Sequence, residues 1–118
     1  MRKFLASFRW AMHGLRTVWR EEANFRTEIL IGIVVLAIAT WLNFTFIEWI
    51  VVTACITIVL AAEVVNTVVE DLCNKIEPHH DPVIGKIKDM AAAFVLLAVT
   101  GASVMGLLLI ISHFGAQY

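Results

Sequence analysis

Every lysine and arginine of this 118-residue chain falls in one of two stretches: Arg2, Lys3, Arg9, Arg16, Arg20 and Arg26 precede Thr27, and Lys75, Lys86 and Lys88 lie between two apolar runs. The remaining sequence has none, and the chain is 60% hydrophobic against 16% charged. A water-soluble domain runs nearer half apolar and a quarter charged, so the surplus must face lipid or partner chains. Such a chain is not disordered, its two cysteines are too few for a disulfide scaffold, and nine basic against ten acidic residues exclude a nucleic-acid binder.

Basic residues accumulate on the cytoplasmic side of membrane proteins. The two clusters therefore predict a cytoplasmic N-terminus and a cytoplasmic stretch around 75–88, with the connection near 43–48 and the C-terminus outside. Three spans follow, at 27–47, 48–73 and 88–112, with an inner loop at 74–87 punctuated by Pro78, Pro82 and Gly85. The first apolar run, from Ile29 to before Asn43, covers about 14 residues or roughly 21 Å, short of the roughly 30 Å hydrocarbon core. Phe25, Phe44 and Phe46 can extend it, and Trp41 and Trp49 stand where interfacial aromatics are expected. Met90 to Ile111 carries no charge and is long enough to cross unaided.

Residues 1–24 read as an amphipathic surface helix. At 100° per residue Phe4, Phe8, Ala11, Met12, Leu15, Val18 and Trp19 share an arc of about 120°, and Arg2, Arg9, Arg16 and Arg20 gather within about 40° beside it. The apolar arc suits the acyl boundary and the arginines suit anionic headgroups. The alternative is a helix packed on its neighbours.

Glu63, Asn66, Glu70 and Asn74 form one polar stripe, within about 80° on a helix, along the inner half of the second span. An ionisable group inside a membrane is costly unless paired, neutralised or bound to a cation, so both glutamates are candidate functional residues. Two carboxylates and an amide suit an oxygen-preferring cation such as Mg²⁺, completed by water or phosphate oxygens. The structural alternative is a stripe that binds neighbouring helices, with salt bridges to Arg26 or Lys88. Glu21, Glu22 and Glu28 flank the start of the first span and Lys88-Asp89 stand at the entry to the third, so all three spans bring carboxylates to one interface. Together they look like a site for a metal-bound polyphosphate, although no phosphate-binding loop or protein-kinase signature is present.

The run Glu63-Val64-Val65-Asn66-Thr67-Val68-Val69-Glu70, joined to Gly85-Lys86-Ile87-Lys88-Asp89-Met90-Ala91-Ala92, resembles the small integral-membrane lipid kinases of bacteria, the prokaryotic diacylglycerol kinase and undecaprenol kinase family. Gly14-Leu15, Trp19 and Glu22-Ala23-Asn24-Phe25-Arg26 fit as well, so the resemblance spans nearly the whole chain. It implies a homotrimer of three-span subunits with an N-terminal surface helix, in the bacterial inner membrane, transferring the ATP γ-phosphate to a lipid alcohol. Carried over by position, Glu63 resembles the general base and contacts the acceptor, and Glu22 and Glu70 resemble the Mg²⁺ ligands on the phosphates, with Asn66 beside them. Lys88 and Asp89 resemble nucleotide contacts, joined by His79, His80, Asp81 and Trp10, and Glu28 resembles a residue of the lipid-binding face. Val68 and Asn74 depart from the family pattern, and Asn74 brings no negative charge. Ala98, Ala102 and Gly106, one helical turn apart, offer a small-residue face consistent with a trimer.

Asn24 and Phe46-Ile47-Glu48-Trp49 look more like undecaprenol-preferring members, and Phe25-Arg26 with Glu28 more like diacylglycerol-preferring ones. Undecaprenol is the first reading of the acceptor and diacylglycerol the alternative. A small proton-coupled transporter is the rival of another class; it predicts four spans and a carboxylate at mid-membrane. Cys55 and Cys73, on the order of 27 Å apart on one helix, read as structural thiols. The His79-His80-Asp81 run lacks a third ligand at zinc spacing, Glu48 reads as a solvated loop residue, and His113 carries no role.

Overall fold

The computed structural model describes residues 1–115 and is all helical: α1 (Arg2–Glu21), α2 (Ala23–Trp41), α3 (Phe46–Ile76) and α4 (Pro82–Gly115). Three of these, α2, α3 and α4, are long and apolar enough to cross a membrane. The expected outward placement of the C-terminus falls on residues 116–118, outside the described ones.

The first span has no shortfall. Helix continues on the N-terminal side of Ile29 through the polar residues from Asn24 to Glu28, giving α2 19 residues, or about 28 Å. It stops at Trp41, so the connection to α3 is only 42–45. Asn43 takes a left-handed backbone (φ 56°), which its short polar side chain tolerates. Thr45 then opens α3 with a capping box: its hydroxyl accepts from Glu48 N–H while a Glu48 carboxylate oxygen accepts from Thr45 N–H, each at 3.3 Å.

The inner loop is also shorter than 74–87. Helix α3 runs to Ile76 and α4 begins at Pro82, which leaves 77–81 without helix. Proline at the first helical position loses no hydrogen bond, because that N–H has no intrahelical partner. Asp81 caps the start, its Oδ2 accepting from Val83 N–H at 3.1 Å and Ile84 N–H at 3.0 Å. Asp81→Ala is expected to lower stability by about 1 kcal/mol, and Asp81→Asn to keep most of it, measured by denaturant unfolding in micelles. Unfolding of Asp81→Ala at the parental denaturant midpoint would remove the cap from the account of α4.

At the other joint, Glu22 is extended (φ −113°, ψ 108°) and serves both as C-cap of α1 and as N-cap of α2. The Arg26 guanidinium donates through Nη1 to the carbonyls of Trp19 at 2.6 Å and Arg20 at 3.0 Å. These are end-of-helix acceptors with no helical partner, and a cation there is favourable. Val18 and Phe25, on either side of this bend, are both buried.

Helices α3 and α4 form the most extensive contact, α2 packs on α3, and α1 contacts α2 more sparsely. Gly32 allows the α2–α3 approach: a Cβ there would lie 3.2 Å from Ile56 Cγ2. Between α2 and α4, which barely touch, lies an apolar cleft of about 640 Å³ floored by α3, with Val35, Val59, Ala102, Gly106 and Phe44 on its walls and Glu28 among the lining residues. The small-residue face of α4 thus borders open space within the chain, and a Cβ on Gly106 would meet nothing. No residue in the most apolar stretch of α4 is buried. Phe4, Phe8, Trp10 and Trp19 of α1 are likewise exposed.

Candidate active site

Antiparallel geometry brings the acidic residues of two helices together. The short 42–45 connection sets Trp41 level with Phe46, which at equal rise per residue sets Ala23 level with about residue 64. Glu22 and Glu28 therefore reach the depth of Glu63. Glu63 lies within electrostatic range of Glu22 and Glu70, and Glu28 within range of Glu63, so Glu63 is repelled by three other carboxylates. Glu63 is 3% exposed. Like charges in such an enclosed place are unfavourable unless a cation or a proton joins them.

Among the described residues no basic side chain pairs with them. Arg26 is committed to the α1 carbonyls. Lys88 donates from Nζ to Asn74 Oδ1 at 2.5 Å, tying α4 to α3. Among the described residues the ion pairs are His79–Glu77 and His113–Glu48, and neither involves the cluster. The structural alternative is met at one end of the stripe, where the Lys88–Asn74 hydrogen bond joins α3 to α4; no salt bridge from Arg26 or Lys88 reaches Glu63 or Glu70 among the described residues.

The stripe instead presents unused acceptors. Asn66 donates from Nδ2 to Glu70 Oε1 at 3.4 Å, which turns its own oxygen away; Asn66 Oδ1 and Glu28 Oε2 are buried with no hydrogen-bond partner. Buried acceptors without donors are uncommon and costly. Both are oxygens, so what would satisfy them is a cation or a hydroxyl. Thr67, also buried, returns its hydroxyl to the Glu63 carbonyl at 3.0 Å and contributes nothing to the cluster.

Other residues singled out from the sequence fall elsewhere. Asp81 is spent on the α4 cap. His79 stands in the 77–81 loop, its backbone N–H and ring both turned to Glu77, and His80 is exposed beside it. Trp10 is 72% exposed on α1. No hydrogen bond or ion pair among the described residues joins Trp10, His79, His80 or Asp89 to the carboxylates. Asn74, without an assigned task in the sequence, proves to be the partner of Lys88. Glu48 is not a solvated loop residue: it bonds His113 across the bundle and is largely enclosed. The Thr45-x-x-Glu48 spacing could have signalled the capping half of that arrangement. Cys55 and Cys73 are free and buried, as structural thiols would be.

Three membrane-length helices with an uncompensated acidic cluster at one end define an integral-membrane protein with a polar site near one face. The profile of the prokaryotic diacylglycerol kinase family matches residues 9–110. A diacylglycerol kinase of Escherichia coli K12 is 32% identical over 110 residues, covering 93% of this chain and 88% of the relative. An undecaprenol kinase of Bacillus subtilis is 28% identical over 109 residues, covering 92% and 89%, and a diacylglycerol kinase of Haemophilus influenzae is 27% identical over 93 residues. The chain belongs to the prokaryotic diacylglycerol kinase family, and is a lipid kinase that uses ATP. The transporter reading falls with that membership, and with the three membrane-length helices where it needs four.

Proposed function

We propose that the protein phosphorylates diacylglycerol at the inner face of the bacterial cytoplasmic membrane, with Glu63 as general base. The observation that carries this reading is a buried Glu63 repelled by Glu22, Glu28 and Glu70, with the candidate cations Arg26 and Lys88 engaged elsewhere. Such a site is completed by a ligand that brings positive charge of its own, and a magnesium-bound nucleotide does so.

Among the described residues no three His, Cys, Asp or Glu side chains converge tightly enough to hold a metal alone. The donor set therefore fits Mg²⁺ only as a shared ion, held by Glu22 and Glu70 together with phosphate oxygens, which suits a cation that keeps several ligands from water and substrate. When bound, the ion supplies charge neutralisation on the transferring phosphoryl group. The protein's own part is positional. Asn66 orients Glu70, Glu63 takes the proton of the acceptor hydroxyl as it attacks, and Glu28 Oε2 is an acceptor for a hydroxyl at the mouth of the apolar cleft. Lys88 and Asp89, with Trp10, His79 and His80 more peripherally, belong to the nucleotide side; Asp81 shapes that side through the helix start it caps.

Diacylglycerol replaces undecaprenol as the first reading of the acceptor. Its support is the higher identity to the Escherichia coli relative. Of the sequence features favouring undecaprenol, Asn24 lies beside Glu22 and still speaks for it, whereas Phe46-Ile47-Glu48-Trp49 opens α3 some 15 residues from Glu63, about 22 Å away along the helix. It cannot touch the reacting hydroxyl. The Bacillus subtilis relative keeps undecaprenol as the second reading.

The positive-inside pattern supports a cytoplasmic N-terminus and 77–81 loop, with the 42–45 connection outside. The exposed aromatic side of α1 supports its lying on the inner surface, and the unburied α4 supports a homotrimer. Transfer from labelled ATP in mixed micelles is expected to be at least about tenfold faster to diacylglycerol than to undecaprenol, with cross-linking in the same micelles giving three copies. The reverse order overturns the acceptor, and a monomer that is fully active overturns the trimer.

A further inference from the structure

Arg26 stands one helical turn after Glu22, yet among the described residues it makes no salt bridge to any carboxylate. Its Nη1 reaches back across the α1–α2 bend to the carbonyls of Trp19 at 2.6 Å and Arg20 at 3.0 Å. Those are the acceptors that the N–H groups of Ala23 and Asn24 would have taken had α1 run on. The extended backbone at Glu22 takes those donors away. Glu22 itself belongs to both helices: its N–H closes α1 on the Val18 carbonyl at 2.9 Å, and its carbonyl accepts from Arg26 N–H at 3.3 Å, which opens α2. The direction of its side chain therefore follows the angle between the two helices. That direction brings its charge to bear on Glu63.

We propose that Arg26 is a positioning residue for the metal-side carboxylate: its guanidinium ties the end of α1 to the first turn of α2 and so holds Glu22 turned toward Glu63. The inference rests on Glu22 as a ligand of the shared ion. Little else fixes the bend, because α1 contacts α2 sparsely and Val18 is the one buried residue of α1. Helix-end carbonyls without a donor turn to water; without the guanidinium α1 can tilt until water reaches them, and Glu22 turns with it. Charge and tie predict opposite signs. Arg26 is a cation near an acidic cluster, so by charge alone its removal would strengthen the hold on a divalent ion. By loss of the tie, its removal weakens that hold.

The probe is the Mn²⁺ complex of a non-hydrolysable ATP analogue, Mn²⁺ taking the same oxygen ligands as Mg²⁺. Its binding to the full chain in nanodiscs is read from the water-proton relaxation enhancement of immobilised Mn²⁺, with no turnover involved. Glu22→Gln and Arg26→Met are each expected to weaken binding about tenfold, and the double variant no more than either alone. On a Glu70→Gln background Arg26→Met is expected to keep its full effect, a selectivity that general loosening of the site lacks. Thermal unfolding of the same samples establishes that they are folded. Parental or tighter binding by Arg26→Met, or a double-variant loss equal to the product of the two single ones, overturns the positioning role alone. Parental binding by Glu22→Gln overturns the ligand reading beneath it and the proposal with it. Should Arg26→Met fail to fold, Arg26→Gln keeps an N–H donor without the charge; weakening of about threefold is expected, and parental or tighter binding overturns the proposal.

Discussion

Glu63→Gln is expected to lower phosphoryl transfer by about 10²–10⁴-fold, the range supplied by a positioned general base. The amide matches the carboxylate in size and cannot take up the hydroxyl proton. Position 63 is 3% exposed and surrounded by the charges of Glu22, Glu28 and Glu70, so the substitution also removes repulsion. The variant should fold and assemble at least as well as the parent, and thermal unfolding in micelles separates lost catalysis from lost structure. Turnover from labelled ATP at the parental rate would refute the assignment of Glu63 as base.

Glu70→Gln is expected to raise the Mg²⁺ concentration for half-maximal activity about tenfold, the effect of losing one charge-assisted contact of about 1.5 kcal/mol. Geometry changes little, because a glutamine oxygen can still accept from Asn66 Nδ2, as Glu70 Oε1 does at 3.4 Å. Only the charge is removed. At saturating Mg²⁺ much of the rate should return, whereas Glu63→Gln keeps its deficit at any metal concentration. A metal titration superimposable on that of the parent removes Glu70 from the ligand set.

The spans were legible because lipid imposes a simple rule: long apolar runs bounded by positive charge. Their ends were harder to read. Pro82 looked like loop punctuation, yet Asp81-Pro82 is a cap followed by a first helical residue, and the helix extends the apolar run that starts at Met90 back by two turns. The stripe from Glu63 to Asn74 was readable because period alone places it on one face. The convergence of Glu22 and Glu28 on that stripe follows from the short α2–α3 connection, whose length shows only once Thr45 is recognised as a cap. Arg26 could not be assigned from sequence, since its partners are backbone carbonyls of α1 rather than a carboxylate. Nor could the Asn74–Lys88 and Glu48–His113 bonds, which join positions 14 and 65 apart through helix packing that no local pattern encodes.

Helix α3 has 31 residues and α2 only 19, so with their connected ends flush the former overtops the latter by roughly 18 Å. The difference makes a ledge, and Glu63 sits at its foot. In the proposed site an oily acceptor would slide in laterally beside the shorter helix while a hydrophilic donor would settle against the taller pair, each still in the medium that dissolves it. Two reactants that share no solvent need not leave their own to meet.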